Sequence, residues 1–283
     1  MKTRIVSALA LIPAVLALII YSSVEVMAVV FAAITLLASW EWAQLSQIKS
    51  ITQKGIYIAV QLLLLGGSWY LFFKADTPVI SIAIKALLSL ALSWTLTALI
   101  WMIIYSKRDG NADISALLKA IIGWFVLTIS WVAIIKVREI GTEHLIILMF
   151  LIWGADSGAY FAGRFLGRHK LAVRLSPKKT IEGVIGGLIT AIAIMVVARY
   201  LLPAITGKEL EGSVVLQITL AVVVSIVSVS GDLFESMLKR LCGIKDSGNI
   251  IPGHGGILDR IDSLIAASPI YLAGGYMLGS GAL

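Results

Sequence analysis

Residues 214–231 read VVLQITLAVVVSIVSVSG, residues 232–262 read DLFESMLKRLCGIKDSGNIIPGHGGILDRID, and residues 263–281 read SLIAASPIYLAGGYMLGSG. The outer runs are apolar and of the length that crosses a bilayer as a helix, about 20 residues. The middle stretch is therefore a connection between two membrane helices. Its core, Ser236 to Asp262, gathers Lys239, Arg240, Lys245 and Arg260 beside Asp246, Asp259 and Asp262, with glycines at 243, 248, 253, 255 and 256. A connecting loop has no structural need for that much convergent charge. The combination suits phosphate chemistry, because cations hold phosphoryl oxygens, carboxylates hold a divalent metal, and glycines let backbone N–H groups approach an anion.

The rest of the chain supports a membrane setting. Of its 283 residues 59% are hydrophobic and only 14% charged, where a soluble domain carries about 25% charged residues; the mean hydropathy is +0.97. Nine apolar spans are expected, at roughly 5–22, 25–45, 55–73, 79–105, 116–135, 143–163, 183–202, 214–231 and 263–281. The first follows Lys2 and Arg4 and resembles a secretory signal, but no small-residue cleavage site follows it, and it reads as a retained helix. The expected fold is an all-α integral membrane protein of about nine transmembrane helices, with a polar, cytoplasm-facing active site in the C-terminal half. Residues 1–140 read as scaffold of about five spans, and residues 141–283 as a catalytic region of about four spans with two basic loops.

Charge sets the orientation. Of 23 Lys and Arg residues, 16 fall at the amino terminus and in the even-numbered loops, four in the odd-numbered loops, and Lys85, Lys119 and Arg199 inside spans. That asymmetry puts the amino terminus and both rich loops in the cytoplasm and the carboxyl terminus outside. A net charge of +7 then points to anionic lipid headgroups and phosphates rather than nucleic acid. The single cysteine, Cys242, excludes an internal disulfide framework and a cysteine zinc site. Trp40, Trp42, Trp69, Trp101 and Trp153 lie near span ends and read as interfacial anchors. Glu41, near the cytoplasmic end of the second span, either snorkels to the headgroups or faces a cavity.

A second polar region, residues 153–187, reads WGADSGAYFAGRFLGRHKLAVRLSPKKTIEGVIGG. Asp156, Tyr160 and Arg164 recur at i, i+4 and i+8 and so share a helix face. An acid at membrane depth needs a partner, and Asp156 has Arg164, a metal or a basic cluster to choose from. Gly154, Gly158 and Ala162 form a small-residue stripe where another helix approaches closely. Thr180 with Gly183 suits the start of the next helix.

In the main stretch, Asp232, Ser236 and Lys239 recur at i, i+4 and i+7, with Arg240 four residues beyond Ser236. A phosphate above that face meets a hydroxyl, an ammonium and a guanidinium. Asp259 and Asp262, three apart, share a face of the following helix. If the loop closes as a hairpin, Asp232, Asp259 and Asp262 meet and share a cation, with Asp246 as a further candidate. Magnesium fits, because it binds through one or two carboxylates plus substrate phosphates; it acts alone or with a second cation. Salt bridges from Asp259 to Lys239 or Arg260 are the alternative. Gly255 and Gly256 lead into a helix start that favours an anion. His254 either holds the turn or a carboxylate, or protonates a leaving pyrophosphate.

The spacing KR, four residues, KD, then PGHGG, two residues and DRID resembles the signature of the CDP-diacylglycerol synthase family, the phosphatidate cytidylyltransferases. DSGAY and SPKKTIEG also resemble that family's stretches, so the likeness covers most of residues 153–262. It implies transfer of the CMP moiety of CTP to phosphatidate in the bilayer, giving CDP-diacylglycerol and pyrophosphate, by a homodimer. On that reading the catalytic candidates are Asp232, Lys239, Arg240, Asp246, His254, Asp259, Arg260 and Asp262. Substrate contacts are expected at Asp156, Ser176, Lys178, Lys179, Thr180, Glu182, Ser236, Lys245, Gly255 and Gly256. A lipid or polyprenol kinase is the nearer alternative and an ion-coupled transporter the more distant, since a transporter spreads its charges through several spans.

Overall fold

The computed structural model describes residues 2–108, 110, 114–248, 250 and 255–279, with side chains from residue 12 onward. The described residues form nine helices: α1 (Lys2–Tyr21), α2 (Val24–Leu45), α3 (Ile51–Phe73), α4 (Thr77–Lys107), α5 (Ala116–Ile140), α6 (Thr142–Phe165), α7 (Ile181–Thr206), α8 (Val214–Leu241) and α9 (Leu258–Leu278). α2 to α9 are each long and apolar enough to cross a membrane. The protein is a multi-pass, all-α membrane protein, as its apolar runs require: in lipid a helix satisfies its backbone polar groups internally.

α5 is the central post, buried along most of its length. It packs on α2, α3, α6 and α9, while α8 lies against α9 and α7 against α6. The α6–α7 pair is the closest. A β-carbon on Gly158 would meet Thr190 and the Gly186 carbonyl, and one on Gly186 would meet Ala162. The small-residue stripe on α6 therefore does what its composition predicts, letting α7 approach to backbone distance.

Two features depart from the sequence reading. A two-stranded antiparallel hairpin, β1 (Lys170–Ala172) and β2 (Ser176–Thr180), projects between α6 and α7 with Lys170 opposite Thr180. Strands this short carry no periodicity to read, and Pro177 is tolerated because the pair has only edges. Thr180 ends β2 and caps α7, accepting from the Gly183 N–H at 3.1 Å. Trp42 is the second departure, since it is 3% exposed rather than interfacial. Its indole donates to the Lys119 carbonyl at 2.8 Å, binding the end of α2 to the start of α5.

Candidate active site

α8 outlasts its apolar run. Residues 214–231 account for about 27 Å of helix at 1.5 Å per residue, and the helix continues to Leu241. Its last turns thus carry Asp232, Glu235, Ser236 and Lys239 at one end of the bundle. The Lys239 ammonium is the centre of the cluster. It lies 2.6 Å from Asp259 Oδ1 and 3.2 Å from Glu235 Oε2, with the lysine side chain and both acids nearly buried. The i, i+4 spacing within α8 supplies Glu235, and the first turn of α9 supplies Asp259.

Asp259 is fully engaged. Besides Lys239, its Oδ2 accepts the backbone N–H groups of Ser247 at 3.0 Å and Gly256 at 2.9 Å. Of the two roles open to it, the structure shows the salt bridge, joined to a fold-back of the loop. Asp232 is held differently: Lys179 of β2 reaches its Oδ2 at 2.6 Å, and Ser236 Oγ donates to Oδ1 at 3.3 Å. A third of the Asp232 side chain stays uncovered. Lys179 and Asp232 are also the charged neighbours of Asp156, while Arg164 instead donates to the Tyr160 hydroxyl at 2.8 Å. The two basic loops therefore meet at one end of the molecule.

Glu235 is 3% exposed, and neither of its buried oxygens accepts a hydrogen bond, although the Lys239 ammonium stands within ion-pair distance. Its carboxyl faces that of Asp262. The unpartnered Glu235 oxygens beside the Asp262 carboxyl, whose Oδ1 accepts the Ser263 N–H at 2.7 Å, suit a cation completed by water and phosphate. No cluster of three or more His, Cys, Asp or Glu able to cage a metal exists among the described residues.

The remaining candidates are spread around this centre. Arg240, Lys178, Lys245 and Asp246 are exposed on the same end, Ser176 is half-buried in β2, and Arg260 lies exposed one residue past Asp259. Glu182 accepts the N–H groups of Arg168 and His169 and the His169 ring at 2.6 Å, which ties the hairpin's entry to α7. Gly255 has a left-handed backbone, φ 85°, beside Asp246 and Asp259. His254 lies outside the described residues. The N–H groups of Gly256, Ile257 and Leu258, which open α9, are occupied by carboxylates, namely Asp259 and Glu41.

Sequence reasoning missed Glu235, although its spacing from Asp232 (i, i+3) and Lys239 (i, i+4) places it with them on α8. It also left Glu41 open, and the structure seats it in the loop with 1% exposure. Above Glu235 and Asp262 a cleft of about 680 Å³, mouth included, runs into the bundle between α4, α5, α8 and α9. Its walls are apolar, with Trp94, Phe125, Ile129, Val227 and Phe234 prominent.

A family model described as "Cytidylyltransferase family" matches residues 2–277. The chain belongs to that family. It is similar to a protein named phosphatidate cytidylyltransferase from Haemophilus influenzae, at 36% identity over 288 residues covering 96% of this chain and 97% of the relative. A relative of the same name from Pseudomonas aeruginosa is 36% identical over 283 residues, covering 100% and 99%. A third, from Brucella suis, is 45% identical over 135 residues, 47% of each chain.

Proposed function

We infer that this protein transfers the CMP moiety of CTP to phosphatidate, releasing pyrophosphate and leaving CDP-diacylglycerol in the membrane. The observation that carries the reading is the full-length cytidylyltransferase match, in a chain whose charged cluster opens onto an apolar cleft inside a membrane bundle. One substrate is a soluble polyanion and the other a lipid, and the site offers a surface for each.

A phosphatidate oxygen attacks the α-phosphorus of CTP in line as the bond to the β-phosphate oxygen breaks. A phosphomonoester is largely dianionic near neutral pH, its second pKa being about 6, so no strong general base is needed. Catalysis is then mainly positioning and charge neutralisation. Lys179, Lys178, Arg240 and Lys245 form the cationic rim that meets the triphosphate, and Lys239, fixed between two acids, orients them. Ser236 donates to a phosphoryl oxygen once Asp232 is otherwise engaged. Asp232 and the facing pair Glu235 and Asp262 would offer carboxylates, one or two at a time, to a magnesium ion carried on the substrate phosphates, which would supply Lewis-acid neutralisation of their charge; Asp259 stays with Lys239 and the loop.

The acyl chains of phosphatidate lie along the cleft while its phosphate stands at the polar end. The rim faces the cytoplasm, where CTP is, with the amino terminus on the same side. Anionic headgroups gather at Arg164, Arg168 and Lys170, which are exposed around the hairpin. The homodimer that the family resemblance implies is part of the same reading.

The test is transfer from α-labelled CTP to phosphatidate by purified protein in mixed micelles, with and without magnesium and against ATP and GTP. Lipid-soluble label with one pyrophosphate per transfer, dependent on CTP and magnesium, is expected. In a parallel run with γ-labelled nucleotide, label entering lipid from the γ-position and none from the α-position would make the protein a kinase.

A further inference from the structure

Glu41 belongs to α2, in the half of the chain that reads as scaffold, yet among the described residues its side-chain hydrogen bonds run to the loop between α8 and α9 and to the start of α9. Its Oε2 accepts from Ser247 Oγ at 2.9 Å and from the Leu258 N–H at 2.8 Å, and its Oε1 accepts the Ile257 N–H at 3.0 Å. Beside it, Asp259 takes the N–H groups of Ser247 and Gly256. Two carboxylates from opposite halves of the chain thus consume three successive N–H groups at the opening of α9 and both donors of Ser247.

The local sequence is shaped around Glu41. A β-carbon on Gly248 would meet its Oε1, and one on Gly256 would meet its Oε2 together with Ser247 Oγ. Those two glycines of the loop motif are small because this carboxylate fills the space beside them. The helix start supplies the partial positive charge that makes a buried carboxylate tenable there. One turn further along, the Leu45 carbonyl accepts the Cys242 thiol at 2.9 Å, so the same end of α2 also fixes the exit of α8.

We propose that Glu41 is a positioning residue of the active site: it seats the loop and the first turn of α9 so that Asp259 meets Lys239 and Asp262 faces Glu235. The inference rests on the cytidylyl-transfer reading for its kinetic consequence, and on hydrogen bonding alone for its structural one. α9 is a rigid rod, so loosening its first turn displaces both of its acids together. A misplacement of about 1 Å in a reacting group lowers rates by about 100-fold.

The test is Glu41→Gln, which keeps the size of the side chain but turns an NH2 toward backbone N–H groups. Activity is measured per folded molecule in a monodisperse fraction, with hydrogen exchange of the peptide spanning Gly256 to Leu258 as a readout independent of turnover. Expected are a kcat lower by about 100-fold, a KM for phosphatidate within about threefold of the parent, and faster exchange at those amides. Should Glu41→Gln fail to accumulate, Ser247→Ala removes one contact of the same carboxylate, and about a tenfold loss of kcat is expected. Unchanged kcat per folded molecule, even with a lower melting temperature, would reduce Glu41 to a stability contact and overturn the proposal. Absence of CTP transfer in the parent protein would instead overturn the functional reading, and the exchange rates would still decide the seating role.

Discussion

Asp232 and Asp259 are chemically identical and sit on adjacent helices, yet their surroundings divide their work. Both oxygens of Asp259 are taken, one by Lys239 and the other by two backbone N–H groups. Removing its charge leaves the nearly buried Lys239 ammonium with Glu235 alone, and breaking a buried pair on one side costs up to about 3–5 kcal/mol. Asp232 instead faces a lysine from a surface hairpin and keeps a third of its side chain uncovered, so on the proposed reading it can exchange that lysine for a substrate-bound cation. Two outcomes follow in purified protein. Asp232→Asn loses about 1,000-fold in kcat, the scale of a lost electrostatic contact at a reacting centre, and melts like the parent. Asp259→Asn loses activity and also melts at a clearly lower temperature. Thermal unfolding in detergent alongside turnover separates them; an Asp259→Asn protein as stable as the parent would count against its loop-holding role.

At the level of elements, the cleft walled by α4, α5, α8 and α9 is the part of the molecule suited to a lipid. Ala98 of α4 lines it and carries no charge or polar group of its own. Ala98→Phe should raise the KM for phosphatidate about tenfold, equivalent to about 1.4 kcal/mol of lost binding, and leave the KM for CTP within about twofold. Short-chain phosphatidate should be less affected. Equal rises for both substrates would mean that the helices had shifted and that the cleft was not the lipid's. Among the described residues the helices were legible in the sequence from their apolar runs, and eight of them, α2 to α9, are long and apolar enough to span a bilayer. The α6–α7 contact was legible in Gly154 and Gly158. The hairpin was not, because three to five residues leave no pattern. Nor was Glu41's place: an isolated acid beside two tryptophans has no local partner, and its donors lie more than 200 residues away. Trp42 misled for the same reason, since an indole near a helix end serves equally as an anchor or as a donor to a neighbouring helix.

The whole molecule is polarised. The cationic rim, the paired acids and the hairpin share one end, and 16 of the 23 Lys and Arg residues fall in the segments assigned to that side. CTP is charged and water-soluble, so the enzyme works only if that end faces the cytoplasm, which is the orientation that the positive-inside bias predicts. The single cysteine makes this testable, because Cys242→Ser leaves a chain without thiols while preserving a hydroxyl donor for the Leu45 carbonyl. In that background, cysteine replaces Lys208 in the α7–α8 connection or Lys49 in the α2–α3 connection, both exposed. A membrane-impermeant maleimide applied to intact cells should label Lys208→Cys at once and Lys49→Cys only after permeabilisation. The reverse pattern would put the charged end outside, where no CTP reaches it, and the inferred reaction would have to be abandoned along with the orientation.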